Sequence, residues 1–452
     1  MGMRGRWRAG CSRWARRARS AGMNGRAAEA RSRQTGSDMH VIVVGAGVVG
    51  MATALRLALD GHTVEVMEAA ATPASGASFA NAGLISPGHC FSWAEPGVVP
   101  MALKSLFGGV AGFGIARPLH PALWRWGWRF ARQSTLPRWL ANSAAALSLS
   151  RYSRTVHARL GLIAPARYGG RSAGILYCYG PGAGPAQAEL DLLRQAGEGY
   201  EVLDGAALLD REPVLGAARG LRFETAVHCP GDATGDARRY ALAACEAARA
   251  RGARVHVSTP VGALVVSAGR VRGVATPRGV FAADAVVVAA GEASAALLRP
   301  LGYAAPVYPV TGYSLTFAAR DLPPLRRGGV SATHKIAWSP LGEQAIRMTG
   351  FADVGTPGRA TQTRRLAQLR AFATALMPAL AAVEPSAWVG RRPMTPDGLP
   401  VLGAGAHPGL YLNFGHGAMG WTMASGSAQV IAHLLQGTAP EIDAAPFRVQ
   451  RF

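Results

Sequence analysis

The chain has few of the residues that would point to an oxidising compartment or to a structural metal. Its 452 residues include five cysteines, and no two of them form a Cys-x-x-Cys pair. Scattered cysteines of this kind indicate a reducing, cytoplasmic environment, and we predict no metal site. These cysteines are Cys11, Cys90, Cys178, Cys229 and Cys245.

Long apolar runs are also absent. No segment approaches the roughly 18 consecutive apolar residues that a membrane-spanning helix needs, so we expect the body of the chain not to cross a bilayer. Hydrophobic residues nevertheless make up 49% of the sequence. A chain of this length and composition can bury large cores and should divide into two domains.

Acidic residues are scarce, and the formal net charge is +22. Residues 1–38 account for +8 of it, because they hold ten Arg against Glu29 and Asp38. No apolar segment follows Arg16 and Arg17, which argues against a secretory or twin-arginine export signal. No nucleic-acid-binding motif accompanies the other arginines, so we expect no nucleic-acid partner and only attraction to anionic surfaces.

The Arg-rich extension at residues 1–38 has two interpretations. Its composition is similar to an organellar transit peptide, and it also suits a reading frame translated upstream of the true start. Met39 stands immediately before the first predicted strand. We therefore favour Met39 as the natural start and expect the extension to be disordered.

The most informative segment present is His40–Glu68, which predicts a strand, a glycine turn, a helix and a second strand. The apolar run Val41–Val44 is typical of a parallel strand buried on both faces. Gly45 permits the tight turn, Gly47 lets a pyrophosphate approach the backbone, and Gly50 lets the helix pack closely on the sheet. The segment therefore predicts a nucleotide-binding βαβ unit.

Two further features indicate which nucleotide is bound. Glu68 ends the second strand, where its carboxylate can hydrogen-bond a ribose hydroxyl. A second glycine loop, Gly415–Gly420, follows the predicted strand Gly409–Phe414 and begins a helix that continues to Leu435. Two helix N-termini far apart in sequence suggest one extended ligand held at both ends, and FAD has that shape. Apart from these two loops, no glycine motif indicates a separate site for a nicotinamide cofactor.

The pattern along the chain predicts an α/β fold with two interleaved domains. The first is a Rossmann-like FAD-binding domain of the glutathione-reductase type, and its strands should include a pair around Val271–Val274. The second is a mixed α+β substrate domain built around an antiparallel sheet. The predicted divisions are an extension 1–38, FAD-binding parts 39–110, 231–300 and 388–437, substrate or cap parts 111–230 and 301–387, and a C-terminal tail 438–452.

The segment from Pro121 to Leu140 predicts an amphipathic helix. Trp124, Trp128 and Ala131 share one helical face, and three arginines largely occupy another. Such a helix can lie on a membrane surface, which would make the protein peripheral on the inner face of the cytoplasmic membrane. The alternative, in which the tryptophans pack into a domain interface, is the more common arrangement.

Several of these segments resemble the D-amino-acid dehydrogenase group of the DAO family of FAD-dependent amine and amino-acid oxidoreductases. The resemblance runs from Met39 to near the C-terminus. It is carried by the motifs VIVVGAGVVG, SFANAGLISPG, YPVTGYSLTF, GRRPMTPDGLPVLG and NFGHGAMGWTMASGS.

The resemblance implies non-covalently bound FAD and names the residues that should contact it. In that family the first motif binds the ADP part of FAD, the second lies beside the flavin, and the last cradles the isoalloxazine ring. The implied cofactor contacts are Val41, Val44, Gly45, Ala46, Gly47, Val48, Val49, Gly50, Glu68, Ser78, Asn81, Ala82, Gly83, Val261, Ala290, Gly291, Gly415, His416, Gly417, Gly420, Trp421 and Thr422.

An amino-acid substrate brings a carboxylate, for which a bidentate guanidinium is the best partner. Arg392 matches the position of the carboxylate-binding arginine in related oxidases. Arg391 remains an alternative, because neighbours on a strand point to opposite faces. Tyr313 either donates a hydrogen bond to the carboxylate or packs.

His334, Lys335 and His416 are candidates for the surroundings of the substrate amine, although each of them alone is more often structural. The sequence does not assign a catalytic role to any of the three.

The implied reaction is oxidative deamination of small D-amino acids similar to D-alanine, by hydride transfer from Cα to flavin N5, giving 2-oxo acids and ammonia. The resemblance implies a quinone-type electron acceptor. Alternatives within the family are a glycine or sarcosine oxidase and a D-hydroxyproline dehydrogenase. A flavin-binding subunit of a hetero-oligomer is an alternative from another class. The sequence does not indicate an oligomeric state.

Overall fold

The computed structural model describes residues 38–106, 112–161, 163–320 and 322–452. The predicted disorder of residues 1–37, Cys11 and the predicted domain limit at 110–111 lie outside the described residues. The strands are β1 (His40–Val44), β2 (Thr63–Met67), β3 (Leu84–Ile85), β4 (Phe113–Ile115), β5 (Ile175–Tyr179), β6 (Glu201–Asp204), β7 (Thr225–Cys229), β8 (Ala233–Thr234), β9 (Arg254–His256), β10 (Ala263–Ser267), β11 (Arg270–Thr276), β12 (Gly279–Ala282), β13 (Ala285–Val288), β14 (Tyr308–Ala318), β15 (Gly328–Ser331), β16 (Ile336–Leu341), β17 (Ala345–Val354), β18 (Ser386–Met394), β19 (Val401–Ala404) and β20 (Leu410–Phe414).

The helices alternate with these strands. They are α1 (Val48–Leu59), α2 (Val98–Leu106), α3 (Pro121–Gln133), α4 (Leu136–Leu160), α5 (Pro165–Tyr168), α6 (Gln187–Gln195), α7 (Gly205–Arg211), α8 (Ala237–Arg249), α9 (Ser294–Leu298), α10 (Arg359–Leu376) and α11 (Gly420–Leu435).

A six-stranded sheet in the order β19-β20-β13-β1-β2-β9 carries the first glycine motif. Its strands are parallel except for β19. Val41 and Val43 of β1 belong to a core shared with α1, α8 and α11, and Ile42 and Val44 belong to the core on the other face. The strand is therefore buried on both faces, and the predicted α/β fold is confirmed.

The strands around Val271–Val274 do not extend this sheet, contrary to the sequence-based expectation. β10, β11 and β12 form a separate antiparallel sheet. Both edges of β11 are occupied by its neighbours, so it has no edge left for the parallel sheet. Val271 and Val274 instead pack against the face of the six-stranded sheet that carries Ile42.

The second large sheet has nine strands, most of them antiparallel. Its order is β18-β14-β17-β16-β15-β5-β7-β6, and β4 also pairs with β17. The predicted domain limit at residue 388 falls inside β18, which pairs with β14 over Ser386–Met394. The strand that carries Arg391 and Arg392 therefore belongs to the nine-stranded sheet and not to the six-stranded sheet, because its backbone hydrogen bonds are made to β14.

The end of the chain packs against the six-stranded sheet. Phe447 and Val449 are buried, and Arg451 Nε donates to Asp397 Oδ2 at 2.6 Å. In the part of the chain that the structure describes, no helix combines the length and apolar character that a membrane crossing requires. The remaining predicted domain limits stay predictions.

Candidate active site

The first glycine turn joins β1 to α1 under tight steric limits. Gly45 has a positive φ of 104°, and a Cβ there would lie 2.6 Å from the carbonyl oxygen of Ala289. A Cβ on Gly50 would overlap the carbonyl oxygen of Gly45. Any side chain at either position would push the helix away from the sheet, so glycine is required for this geometry.

The N-terminus of α1 is open to an anion. Gly47 precedes the helix without a side-chain cap, and the first turn contains no acidic residue. A Cβ on Gly47 would have only Ser78 Oγ within 4 Å, at 3.4 Å. The Val48 amide donates to that hydroxyl at 3.0 Å. The positive end of the helix dipole therefore faces a space that a pyrophosphate fits.

Glu68 lies beside this turn. Its carboxylate accepts hydrogen bonds from the Ala46 amide at 2.7 Å and from the Ala70 amide at 2.8 Å. Its main chain is held by β9, because the Glu68 amide donates to His256 O at 2.9 Å. The carboxylate is thus fixed next to the pyrophosphate space, as ribose recognition requires. Val261 is half-buried and packs against the core cluster that includes Ile42 and Val44, and its contact with adenine stays a prediction.

The second glycine loop adjoins the first. Gly415 and Gly417 have positive φ angles of 78° and 55°, and the Gly417 amide donates to Pro393 O at 3.0 Å. A Cβ on Gly420 would lie 3.9 Å from Val49 Cγ2 of α1. One ligand can therefore touch both helix N-termini, which supports the predicted extended cofactor.

The side chains around the start of α11 are turned into the protein. His416 Nε2 pairs with Ser427 Oγ at 2.9 Å, and burial lowers the pKa of His416 to about 3. Thr422 Oγ1 accepts from the Ser86 amide at 3.1 Å, and the Trp421 ring packs edge-on against Tyr168. His416 is therefore a neutral structural group, and the suggestion that its side chain shapes the amine environment does not fit.

The loop predicted to lie beside the flavin packs against β16 of the nine-stranded sheet. Asn81 Oδ1 accepts from the Gly83 amide at 3.1 Å, and Ser339 Oγ donates to Ala82 O. Gly83 has a φ of 72°, and a Cβ there would lie 2.9 Å from Ser339 Oγ. Asn81 and Ala82 line a large cavity.

At the end of β13, Gly291 has a φ of 56°, and a Cβ there would have no heavy atom within 4 Å. Ala290 lies beside the first glycine turn, because a Cβ on Gly45 would be 3.0 Å from Ala290 Cα. This side of the turn is therefore open to a ligand.

A cavity of about 750 Å³ lies between the second glycine loop, the segment that carries Asn81 and Ala82, and the nine-stranded sheet. Ala82 and Met419 line it on the cofactor side, and Val310 and Arg392 line it on the substrate side. Its wall is mainly apolar and aromatic. Such a site excludes water and strengthens the few polar contacts inside it.

Arg392 is the cationic group that faces this cavity from β18. Its Nη1 donates to Phe351 O at 3.0 Å, and its guanidinium carbon lies 5.6 Å from the centre of the Trp93 ring. The guanidinium lies over Gly312, where any Cβ would overlap it. Burial lowers the pKa of Arg392 to about 10, so the group keeps its charge at neutral pH.

Arg391 points to the other side of the same strand. It is half-exposed, and its Nη2 pairs with Glu292 Oε1 at 2.5 Å. Arg392 is paired across the strands with Val310 and shares its face, whereas Arg391 is paired with Thr311. The register therefore favours Arg392 over Arg391 for carboxylate binding.

Tyr313 does not lie in the cavity, so its predicted hydrogen bond to the substrate does not fit the structure. Its ring is buried in the core beneath α10, and its hydroxyl donates to Asp353 Oδ2 at 2.6 Å. Burial raises the pKa of the Tyr313 hydroxyl well above its ordinary value. Alternation along β14 places Tyr313 and Val310 on opposite faces of the sheet, which explains the difference.

His334 and Lys335 lie in the turn between β15 and β16 but face different ways. Lys335 lines the cavity. His334 Nδ1 pairs with Ser331 Oγ at 2.8 Å, and its ring packs against Phe372. Only Lys335 can influence a substrate directly.

Sequence reasoning missed several groups on the cavity wall, among them His89 and Glu189. His89 follows the SFANAGLISPG motif directly, and its ring lies 4.4 Å from that of Tyr177. Burial and the nearby Lys335 lower the pKa of His89 to about 4, so the ring is neutral. Because His89 directly follows that motif, its position in the sequence could have identified it as a candidate site residue. Glu189 also lines the cavity but belongs to no motif.

Two of the three tryptophans of α3 are exposed and do not pack into a domain interface. Trp126 is buried, and its Nε1 donates to Met394 O at 3.0 Å. Trp124 and Trp128 are 60% and 61% exposed. The expectation that Trp124 and Trp128 pack into a domain interface is therefore wrong, because Trp126 occupies that place.

Comparison with known proteins identifies the family of this chain. A family model described as FAD dependent oxidoreductase (DAO) matches residues 40–434. A protein named D-amino acid dehydrogenase from Rhizobium johnstonii is 40% identical over 92% of this chain and 100% of its own length. A protein of the same name from Sinorhizobium medicae is 39% identical, with the same coverage.

Solved structures show the same fold. Glycine oxidase from Geobacillus kaustophilus has a TM-score of 0.66 and 27% identity, covering 92% of this chain and 99% of that protein. Glycine oxidase from Bacillus cereus has a TM-score of 0.66 and 23% identity, covering 88% and 95%. Because the family model spans most of the chain and the relatives are similar over nearly all of it, this protein belongs to the DAO family of FAD-dependent oxidoreductases.

Proposed function

We propose that the protein is a D-amino acid dehydrogenase that converts D-amino acids to 2-oxo acids and ammonia. The observation that carries this proposal is Arg392, a charged guanidinium that faces an apolar cavity beside the second glycine loop. The names of the relatives support the substrate class. When bound, FAD supplies the two-electron acceptor for oxidation of the Cα–N bond.

The side chains around the cavity would hold and orient the substrate. Arg392 would bind the carboxylate through its planar fork, while Phe351 O fixes one of its nitrogens. The neutral His89 ring can accept a hydrogen bond from the amine without repelling it. With the amine bound in its neutral form, loss of a hydride from Cα would leave an iminium ion and would need no side-chain base. Water would then hydrolyse the iminium ion to the 2-oxo acid and ammonium.

FAD would be held without a covalent bond. The His416 ring is engaged by Ser427, and Cys90 is buried with its thiol directed to Pro87 O. Neither side chain is therefore presented to the cavity as a nucleophile. Release of all flavin into the supernatant after acid precipitation would support this, whereas retention in the pellet would contradict it.

A quinone in the membrane would accept the electrons. The exposed Trp124 and Trp128 of α3 also line the cavity. An Arg- and Trp-bearing helix at this position can rest on an anionic lipid surface and open the site towards it.

The test is an anaerobic titration of the purified protein with D-alanine, D-methionine, D-arginine, the L enantiomers and glycine. Bleaching of the flavin band by D enantiomers alone supports the proposal. Bleaching by glycine in preference to the D-amino acids would favour a glycine oxidase. Fast recovery in air would contradict the dehydrogenase, whereas slow recovery in air with fast recovery on adding a quinone would support it.

A further inference from the structure

Two carboxylates on the cavity wall have no ion-pair partner among the described residues. Glu95 and Glu189 both line the cavity that contains Arg392. Other carboxylates, such as Glu198, Asp353 and Glu292, are paired with arginine. Glu95 is exposed to solvent and Glu189 is partly buried, so it is the missing partner of Glu189 that needs an explanation.

The position of Glu189 makes an unpaired carboxylate costly. It is half-buried, which disfavours the charged form, although its place in the first turn of α6 favours a carboxylate. Burial raises the pKa of Glu189 to about 7, Glu95 raises it further, and Lys335 opposes both. A cation bound between the two carboxylates would remove this cost, because it favours their charged forms.

The rest of the wall suits a long side chain that ends in a cation. Phe91, Trp93 and Tyr179 line the same cavity. Aromatic faces can cover an alkyl stem and attract an ammonium or guanidinium group.

We propose that Glu95 and Glu189 form a subsite for the cationic side chain of the substrate, so that the enzyme prefers D-amino acids that end in an ammonium or guanidinium group. The inference rests on the proposed function. Arg392 would bind the carboxylate of the substrate, and the two glutamates would bind its other end. Lys335, on the same wall, would weaken this preference by repulsion.

The experiment compares kcat/KM for D-arginine and D-norleucine in the holoenzyme. We expect a ratio above ten in favour of D-arginine. Glu189→Gln should lower that ratio at least tenfold, because a hydrogen bond to a charged group is lost. Lys335→Met should raise it. Glu384→Gln, which removes an exposed carboxylate paired with Arg370, should leave the ratio unchanged.

Binding of unreactive analogues separates this inference from the proposed function. The ligands 5-guanidinopentanoate and hexanoate lack the amine and cannot be deaminated, and their Kd values follow from perturbation of the flavin spectrum. Tighter binding of the guanidino acid that is lost in Glu189→Gln supports the subsite even if no D-amino acid is oxidised. Turnover of D-amino acids with equal Kd values for the two ligands would overturn the subsite and leave the proposed function intact.

Discussion

The hydroxyl of Tyr177 donates a hydrogen bond of 2.7 Å to Oδ2 of Asp232. The other oxygen of Asp232 accepts from the Gly88 amide at 2.8 Å. Tyr177 stacks against His89, and both line the substrate cavity. One buried carboxylate therefore holds the strand and the turn that form this wall.

The buried carboxylate of Asp232 should make the free energy of unfolding depend on pH. Burial raises the pKa of Asp232 to about 7 from 3.8. The folded state then binds more protons than the unfolded state between pH 4 and 7, so the free energy of unfolding should fall as pH rises, by at most about 1.4 kcal/mol per pH unit from this group. Asp232→Asn should flatten that slope in urea unfolding measured at pH 5, 6 and 7.

The side-chain amide in Asp232→Asn would keep only one acceptor oxygen, so this variant should also be less stable at pH 5 than the unchanged protein. The exposed variant Glu384→Gln is the matched control and should keep the original slope. An equal slope in Asp232→Asn would show that this carboxylate is ionised throughout the range.

Replacing Arg392 with Lys should weaken substrate binding while FAD stays bound. The ammonium of lysine cannot present two parallel donors to a carboxylate. We expect KM to rise by about tenfold or more, as for loss of a charged hydrogen bond. Arg391→Lys is the control, because Arg391 pairs with Glu292 outside the cavity. Equal KM values for the two variants would contradict the role of Arg392.

Tyr313→Phe should affect stability and not substrate binding. The hydroxyl donates to Asp353, which also accepts from Arg365 at 2.7 Å. Losing this buried hydrogen bond should lower the free energy of unfolding by about 1–3 kcal/mol. Steady-state kinetics and urea unfolding of the same preparation test this. A large rise in KM with unchanged stability would restore the sequence-based role of Tyr313.

Changing both Trp124 and Trp128 to Ala should reduce binding to anionic liposomes. These side chains expose large apolar surface on a helix that also carries arginines. Their loss should lower the fraction that sediments with vesicles at least severalfold. The double variant Val202→Ala, Leu209→Ala removes exposed apolar groups elsewhere and serves as the control. Equal sedimentation of both variants would exclude α3 as the lipid contact.

The FAD-binding unit could be predicted because its signals are local. Gly45, Gly47 and Gly50 lie within one turn, and the acid at Glu68 follows one helix and one strand later. The sequence suggests that Gly45 permits a tight turn and that Gly50 lets the helix pack on the sheet, and the structure shows these same steric limits. The family could be predicted for the same reason, because each motif that indicates it is a short continuous segment.

The sequence by itself therefore determined the parallel strand, the glycine turn and the cofactor class, because each depends on neighbouring residues. Only the tertiary structure decided which side chains enter the substrate cavity. The pairing register of β14 and β18 places Arg392 in the cavity and Tyr313 on the opposite face. Glu189 reaches the cavity from a helix about two hundred residues away in sequence from Arg392. Such contacts depend on how separate elements pack, and no local pattern specifies that packing.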